Sequence, residues 1–227
     1  MPSQLRPFSV NPEVMERIRP MQVRDIPRVA DLHHAAMGNS LWAKLGKRFL
    51  RNVYRGLFEH DLFYAFVYVE DGRIGGFIAG SGDPDVMMKD TFRKAWFLLG
   101  LSALPAVRKP AVLRHLLTTA RYFEASAKDE NDGVKAESLF CSFEPNLRGK
   151  RISGHINKVL FDELLARGHK YVKVTTEVDN KGANRQLTSW GFEDRGHFQF
   201  YGKDMVVYVL DLEESERVAP VSRHPVV

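Results

Sequence analysis

Leu139-Phe140-Cys141-Ser142-Phe143-Glu144-Pro145-Asn146-Leu147-Arg148-Gly149-Lys150-Arg151-Ile152-Ser153-Gly154 reads as a strand that runs through a short basic turn into a helix. Ile152, Ile156, Val159, Leu160 and Leu164 recur at helical spacing, and Gly168 marks the stop, so the helix is expected over Arg151 to Arg167. A strand-turn-helix junction of this kind is an anion site. The first N–H groups of a helix lack intrahelical partners and carry a partial positive charge, which suits them to a pyrophosphate. Arg148, Lys150 and Arg151 add charge, and Ser153 offers a hydroxyl. An ordinary basic helix start is the competing reading. A nucleotide P-loop is excluded, because His155 and Ile156 follow Gly154 where Lys and then Ser or Thr are required. A dinucleotide fingerprint is excluded as well, since its turn needs three glycines.

Outward from this junction, the second half of the chain is punctuated clearly. Glu137 to Phe143 is a strand before the turn. After the helix, Tyr171 to Val178 alternates Val172, Val174, Thr176 and Val178 with polar residues, as a half-buried strand does. A short helix, Ala183 to Trp190, precedes strands over Phe192 to Phe200 and Met205 to Leu212. In the first half, Arg17 to Met21 is a short strand, and Asp25 is placed to cap a helix whose apolar side carries Ile26, Val29, Ala30 and Leu32. A second helix is expected over Leu41 to Phe58. Leu62 to Val69 and Arg73 to Gly80 are strands joined by Asp71-Gly72, a hairpin signal. Asp83 to Phe123 reads as helical with breaks near Pro105 and Pro110. The order is an α/β (α+β) domain built on a mixed sheet.

The chain has 227 residues, 44% hydrophobic and 27% charged, which fits one folded domain. Residues 1–15 and 213–227 read as loose tails around a domain over 16–212, with 83–130 as a helical insertion. A net charge of +5 points to an anionic partner, for which a polyphosphate is sufficient. No nucleic acid is expected, because no aromatic-interleaved basic stripe accompanies the charge. Cys141 is the only cysteine, so intramolecular disulfides are impossible and a reducing, cytoplasmic location is expected. Within its apolar strand, Cys141 reads as a buried core residue. The eight histidines show no zinc spacing, and no metal is expected. Met1 to Pro20 lacks the apolar run of a signal peptide. The run Ala95 to Val107 is too short to span a bilayer.

From about Arg17 to Leu212 the chain resembles the GNAT acetyltransferase superfamily. The turn is similar to that family's pyrophosphate motif, Arg or Gln, two residues, Gly, one residue, then Gly or Ala. Arg148 stands at its first position, but Arg151 replaces the first glycine and Ser153 the second small residue. Downstream, Asn180, Ala183 and Gly191-Phe192 resemble the family's later signature, Asn with Ala three residues on and a terminal Gly-Phe. The resemblance implies a mixed, mostly antiparallel central sheet flanked by helices, with the helical insertion between the third and fourth strands. It also implies that the strand before the turn and Tyr171 to Val178 splay apart to admit the pantetheine arm of acetyl-CoA.

On that resemblance the cofactor-binding residues are main-chain groups of Cys141, Ser142 and Phe143, the turn Arg148, Gly149, Lys150, Arg151, Ile152, Ser153 and Gly154, and the amide of Asn180. Main-chain groups beside the thioester polarise its carbonyl. Direct aminolysis in a ternary complex then needs positioning, a base and an acid. Ala136-Glu137 at the head of its strand resembles the strand that carries the catalytic glutamate of GNAT histone acetyltransferases, which makes Glu137 the candidate base; a surface carboxylate is the alternative. The family's acid is often a tyrosine seven residues after the motif asparagine, where Leu187 stands here. Tyr201 is the substitute candidate, with a core or loop aromatic as the alternative.

The expected reaction is transfer of acetyl from acetyl-CoA to a primary amine of a small molecule, an amino-sugar derivative being the guess for the acceptor. Asn39, Ser40, Trp42 and Lys44 are the acceptor-side candidates. A CoA-binding regulatory module with the same fold and weak or no catalysis is the alternative, motivated by Arg151, Ser153 and Leu187. A homodimer and a peripheral membrane contact through 83–123 are further expectations, with the soluble reading preferred.

Overall fold

Asp71 and Gly72 both take positive φ, 50° and 72°, in a two-residue turn closed by the pair Glu70 with Arg73. This is the hairpin geometry whose twist matches the strands it joins. In a computed structural model that describes residues 9–38, 41–107, 133–147, 149–200 and 202–218, this hairpin lies inside a seven-stranded sheet. In chain order the elements are α1 (Pro12–Glu16), β1 (Ile18–Pro20), a 3-10 turn (Val23–Asp25), α2 (Ile26–Ala36), α3 (Leu41–Lys44) and α4 (Lys47–Phe58). They continue with β2 (Phe63–Glu70), β3 (Arg73–Ser81), α5 (Pro84–Val107), β4 (Glu137–Phe143), a 3-10 turn (Pro145–Leu147) and α6 (Ile152–Ala166). The last are β5 (Tyr171–Glu177), α7 (Lys181–Trp190), β6 (Glu193–Phe200) and β7 (Lys203–Asp211).

The strands lie in the order β1-β2-β3-β4-β5-β7-β6, every neighbouring pair antiparallel except β4 with β5. The hydrophobic alternation of β2 and β3 divides the core in two. Val67, Phe77 and Ala79 face α2, α4 and α5, where Val29, Leu50, Val53 and Leu57 are fully buried. Tyr64, Phe66, Tyr68 and Ile78 face the opposite side, where Ile156, Leu160, Phe161 and Leu164 of α6 and Trp190 of α7 pack. The sheet is thus covered by helices on both faces, as expected from the mixed pattern. α5 follows β3 and precedes β4, the expected place of the insertion. The remainder of that insertion, 108–132, falls outside the described residues.

Several expectations shift. The helix foreseen over Leu41 to Phe58 is two, because Gly46 takes φ 98° at the start of α4. α5 continues through Pro105 as far as Val107, the last residue described before 133, so the helix is not broken at Pro105 as foreseen. Asp25 begins α2 without a side-chain cap. Its carboxylate instead accepts two hydrogen bonds from Arg19, at 2.6 and 3.0 Å, and one from the Gln22 N–H at 2.8 Å. The tails are shorter than foreseen. Asn11 caps α1, which contributes Val14 to the core. At the other end Val218 is buried, the Arg217 carbonyl accepts from Lys158 Nζ at 3.1 Å, and the Arg217 guanidinium lies 5.6 Å from the Trp190 ring centre.

Candidate functional site

β4 and β5 meet in ladder register at a single pair, Glu137 with Lys173, where the Lys173 N–H donates to the Ala136 carbonyl at 2.8 Å. Beyond that pair they part. β5 stays paired with β7 along its whole length, Tyr171 with Asp211 to Glu177 with Met205. β4 stays paired with β3 as far as Phe143 with Gly76. A gap therefore opens inside the sheet, and the backbone groups of β4 that a paired β5 would occupy face it. The divergence has a local cause: the register with β3 shifts between Ala79 and Gly80, so that Ala79 pairs with Phe140 and Gly80 with Ser138. The extra residue, Leu139, forms a bulge, which bends its strand and re-aims the residues beyond it. Gly76 lets β4 close on β3 at the far end, since a Cβ there would collide with the Phe143 ring.

The gap changes the standing of Cys141. Expected in the core, it is solvent-exposed, because the strand that would have covered it has diverged. Cys141 lines the gap as a small, accessible side chain with no base or cation placed beside it among the described contacts. Ser142, one residue on, points the other way and is buried, its hydroxyl donating to the Leu32 carbonyl at 3.2 Å. Phe143 packs on the α6 side of the core.

At the open end of β4 the chain turns through Pro145–Leu147 into α6. Gly149 takes φ 81°, and Arg151, at the N-cap of α6, takes φ 59° and ψ 13°. Arg151 thus adopts the left-handed conformation that glycine favours, at a cost of about 1–2 kcal/mol for a residue with a Cβ. A left-handed residue followed by the helical Ile152 turns successive N–H groups toward one point at the positive end of a helix, a geometry suited to an anion. Gly149, Lys150 and Arg151 are exposed there, Ser153 and Gly154 are half-buried, and Ile152 anchors the turn in the core. Lys150 is shared: its Nζ lies 3.4 Å from Glu70, which also accepts from Arg17 at 3.1 Å. Arg148 lies outside the described residues.

His155 holds this turn, a role its sequence position did not disclose. It is buried, its Nδ1 lies 2.9 Å from the Arg151 carbonyl, and its Nε2 accepts the Asn11 N–H at 2.9 Å. The carbonyl can only accept and the Asn11 N–H can only donate, so Nδ1 carries the proton and the ring is neutral. The N-terminal segment is thereby tied to the backbone of Arg151.

Glu137 is half-buried at the closed end of the gap and accepts from the Thr175 hydroxyl at 3.4 Å. Lys173 and Thr175 share one face of β5, while Val172 and Val174 pack on the α6 side, so Glu137 presents its carboxylate on the face away from α6. Asn180 caps α7: its Oδ1 accepts from the Ala183 N–H at 3.3 Å and its Nδ2 donates to Thr176 Oγ1 at 3.3 Å. The spacing of Asn180 and Ala183 is thus that of a helix cap. Gly191 ends α7 with φ 87°, and Phe192 is buried against Phe161. Leu187 is buried in the same core, so the position that often holds a tyrosine faces inward here. Tyr201, Asn39 and Ser40 lie outside the described residues. Trp42 stacks on His33 and contacts Phe140, whereas Lys44 is exposed. Among the described residues, no group of three His, Cys, Asp or Glu is placed to hold a metal.

No protein-family model and no curated protein matches the sequence. Solved structures do match the fold. An N-acetyltransferase from Staphylococcus aureus Mu50 is 16% identical, with 86% of this chain and 96% of that one covered and a TM-score of 0.56. A ribosomal-protein-alanine N-acetyltransferase from Brucella melitensis is 17% identical, with 86% and 98% covered and a TM-score of 0.56. The ribosomal-protein-S18-alanine N-acetyltransferase from Escherichia coli is 13% identical, with 86% and 92% covered and a TM-score of 0.53. The chain therefore has the GNAT acetyltransferase fold, as the motif resemblance implied.

Proposed function

We propose that this chain is an N-acetyltransferase that takes its acetyl group from acetyl-CoA and passes it to a primary amine. The observation that carries the reading is the parallel pair β4 and β5, joined at Glu137 and Lys173 and then open, with the α6 terminus beyond the open end. An extended pantetheine arm fits such a gap, where backbone groups of β4 are available to it, and its pyrophosphate fits the turn at Arg151. The residues present suit that cofactor: Gly149, Lys150, Arg151, Ile152, Ser153 and Gly154 frame the anion site, and Cys141 to Phe143 flank the arm.

In this account the thioester carbonyl is polarised by β4 main-chain groups near the bulge. An ammonium near lysine's pKa of about 10.4 cannot attack at neutral pH until it loses a proton, and Glu137 is the group we assign to take it. The neutral nitrogen attacks the carbonyl carbon, the C–N bond forms and the C–S bond breaks; the second proton the nitrogen then sheds passes to the departing sulfur or to solvent, so CoA leaves as a thiol or a thiolate. A CoA thiol resembles a cysteine, with a pKa of about 8.5, so an acid assists departure without being essential. Tyr201 remains the proposed donor.

An amino-sugar and a peptide N-terminus are the two acceptor classes to compare, the second because two fold neighbours are named for acetylating an alanine of ribosomal proteins. A cytoplasmic location fits the single cysteine. Release of CoA thiol from acetyl-CoA, followed with panels of both acceptor classes, tests the reading. Turnover with either supports it; CoA binding without turnover on any amine favours the regulatory module, for which the bulk of Arg151 and the inward Leu187 are the supporting observations.

A further inference from the structure

We infer that the outer face of α5 docks on the surface of an anionic lipid bilayer. Trp96 is 71% exposed and Phe97 63%, and their rings meet edge to face with centres 5.8 Å apart. Leu98, at 56%, and Leu101 and Leu104, each at 49%, continue the apolar surface along the same helix. One exposed leucine needs no explanation, but aromatic and aliphatic side chains exposed together over about two and a half turns form an association surface. The helix cannot roll to hide them. Its opposite side places Met87, Leu99 and Ala106 in the core with α4, and Gly56 of α4 admits the Thr91 methyl so closely that a Cβ would not fit.

The charges on this face identify the partner. At 3.6 residues per turn, Trp96, Lys89, Arg93, Leu104 and Phe97 share an arc of roughly 100°, and Leu101 and Lys94 extend it. Lys89, Arg93 and Lys94 are all exposed. Of the acidic residues nearby, Asp90 pairs with Arg93 at 3.1 Å and lies 3.8 Å from His60, Glu59 shares a cleft with Lys94 and Leu98, and Asp85 stands in the first turn, so Lys89 carries the least offset charge. Cations interleaved with Trp, Phe and Leu on one helical face are the pattern of an interfacial helix, whose rings enter the headgroup region while its lysines and arginines meet lipid phosphates. A second copy seated on this face would bring the same cations together. The stretch that follows α5 in the chain sets Arg108, Lys109, Arg114, Arg121 and Lys128 against Glu124, Asp129, Glu130 and Asp132, so it offers this face no net opposite charge. An anionic lipid surface does. Contact is peripheral, because no described helix is long and apolar enough to cross a membrane.

The test uses the full chain with phosphatidylcholine vesicles prepared with and without phosphatidylglycerol, read by co-sedimentation and tryptophan emission. The wild type is expected to sediment with the phosphatidylglycerol vesicles, to shift its emission to the blue, and to leave the vesicles as salt is raised. The triple variant Lys89→Gln/Arg93→Gln/Lys94→Gln should lower partitioning roughly a hundredfold, at about a fivefold loss per cation. Trp96→Ser should abolish the blue shift and weaken sedimentation while leaving the thermal midpoint within a degree or two, about what an exposed position allows. Failure to sediment with phosphatidylglycerol vesicles at low salt overturns the inference. So does a dimer in sedimentation equilibrium that Trp96→Ser dissociates, which would assign the face to a second copy. An emission maximum for Trp96 that is already blue without vesicles, and unchanged on adding them, would assign it to the chain's own cover.

Discussion

The hydroxyl of Tyr54 lies 2.7 Å from Nδ1 of His33, and both side chains are buried where α2 meets α4. Burial, and to a lesser degree the neighbouring His34, holds the His33 imidazole down at about 4, and burial holds the Tyr54 phenol well above its usual range. At neutral pH the pair is therefore uncharged, the phenol donating and Nδ1 accepting. Unfolding returns His33 to an ordinary value near 6.5. Between pH 6.5 and 4 the unfolded chain binds a proton that the folded chain refuses, so stability falls as pH falls through that window. The loss is at most roughly 3 kcal/mol. Urea midpoints measured across the window should decline in the wild type, and the decline should be flatter in His33→Gln, measured against its own value at pH 7. Parallel slopes would show that His33 is not the group responsible.

Arg151 supplies charge from a backbone conformation that favours glycine. Arg151→Gly relieves about 1–2 kcal/mol of backbone strain but adds about 0.5–1 kcal/mol of unfolded-state entropy. The thermal midpoint should therefore stay the same or rise slightly. Arg151→Val, β-branched at positive φ, should lower it by about 2–4 °C for each kcal/mol lost. A lower midpoint for the glycine variant than for the valine variant, read by calorimetry, would contradict the conformation.

For Asn180 the cap and the cofactor contact separate by substitution. Asn180→Ala removes the acceptor for the Ala183 N–H and should cost about 1 kcal/mol of stability. Asn180→Asp keeps that acceptor and suits the positive end of α7, so stability should be retained. It also removes the amide donor and adds a negative charge near the proposed pyrophosphate path, so acetyl-CoA affinity should fall. Thermal melts and calorimetric titrations of both variants check the two effects independently.

Glu137→Gln keeps the size and a hydrogen-bonding oxygen for Thr175 while removing the base. Turnover should fall about 100- to 10,000-fold with acetyl-CoA affinity kept, and the residual rate should rise toward alkaline pH as the free amine becomes available. Full activity across pH would move the base to another carboxylate or a water chain.

How far the sequence carried this reading depends on whether the cause was local. The hairpin at Asp71-Gly72, the extent of Glu137 to Phe143 and the helix ended by Gly168 followed from turn chemistry and apolar period, which neighbouring residues set. The motif turn was located because its residues are consecutive. What escaped depends on tertiary context. Cys141 has the neighbours of a core strand residue, and only the loss of β5 beside it leaves it exposed. His155 looked like no more than a mismatch to a P-loop, since its partners Asn11 and Arg151 meet it only in the folded chain. Asp25 stood where a cap belongs, but Arg19 claims its carboxylate. Val218 is buried in the core beside Arg217, which meets Lys158 and Trp190, neither of which that short segment discloses.

Cys141 also supplies the most direct test of the central claim, because it is the chain's only cysteine and sits in the β4–β5 gap. Alkylation by N-ethylmaleimide, followed by intact mass at mildly alkaline pH, reports occupation of that gap at a single site. If the gap holds the pantetheine arm, acetyl-CoA at concentrations that saturate a calorimetric titration slows alkylation at least tenfold, while pantetheine-free adenosine diphosphate at equal occupancy leaves it largely unprotected. An unchanged alkylation rate in the presence of calorimetrically bound acetyl-CoA, or the absence of any binding at low salt, would contradict the account.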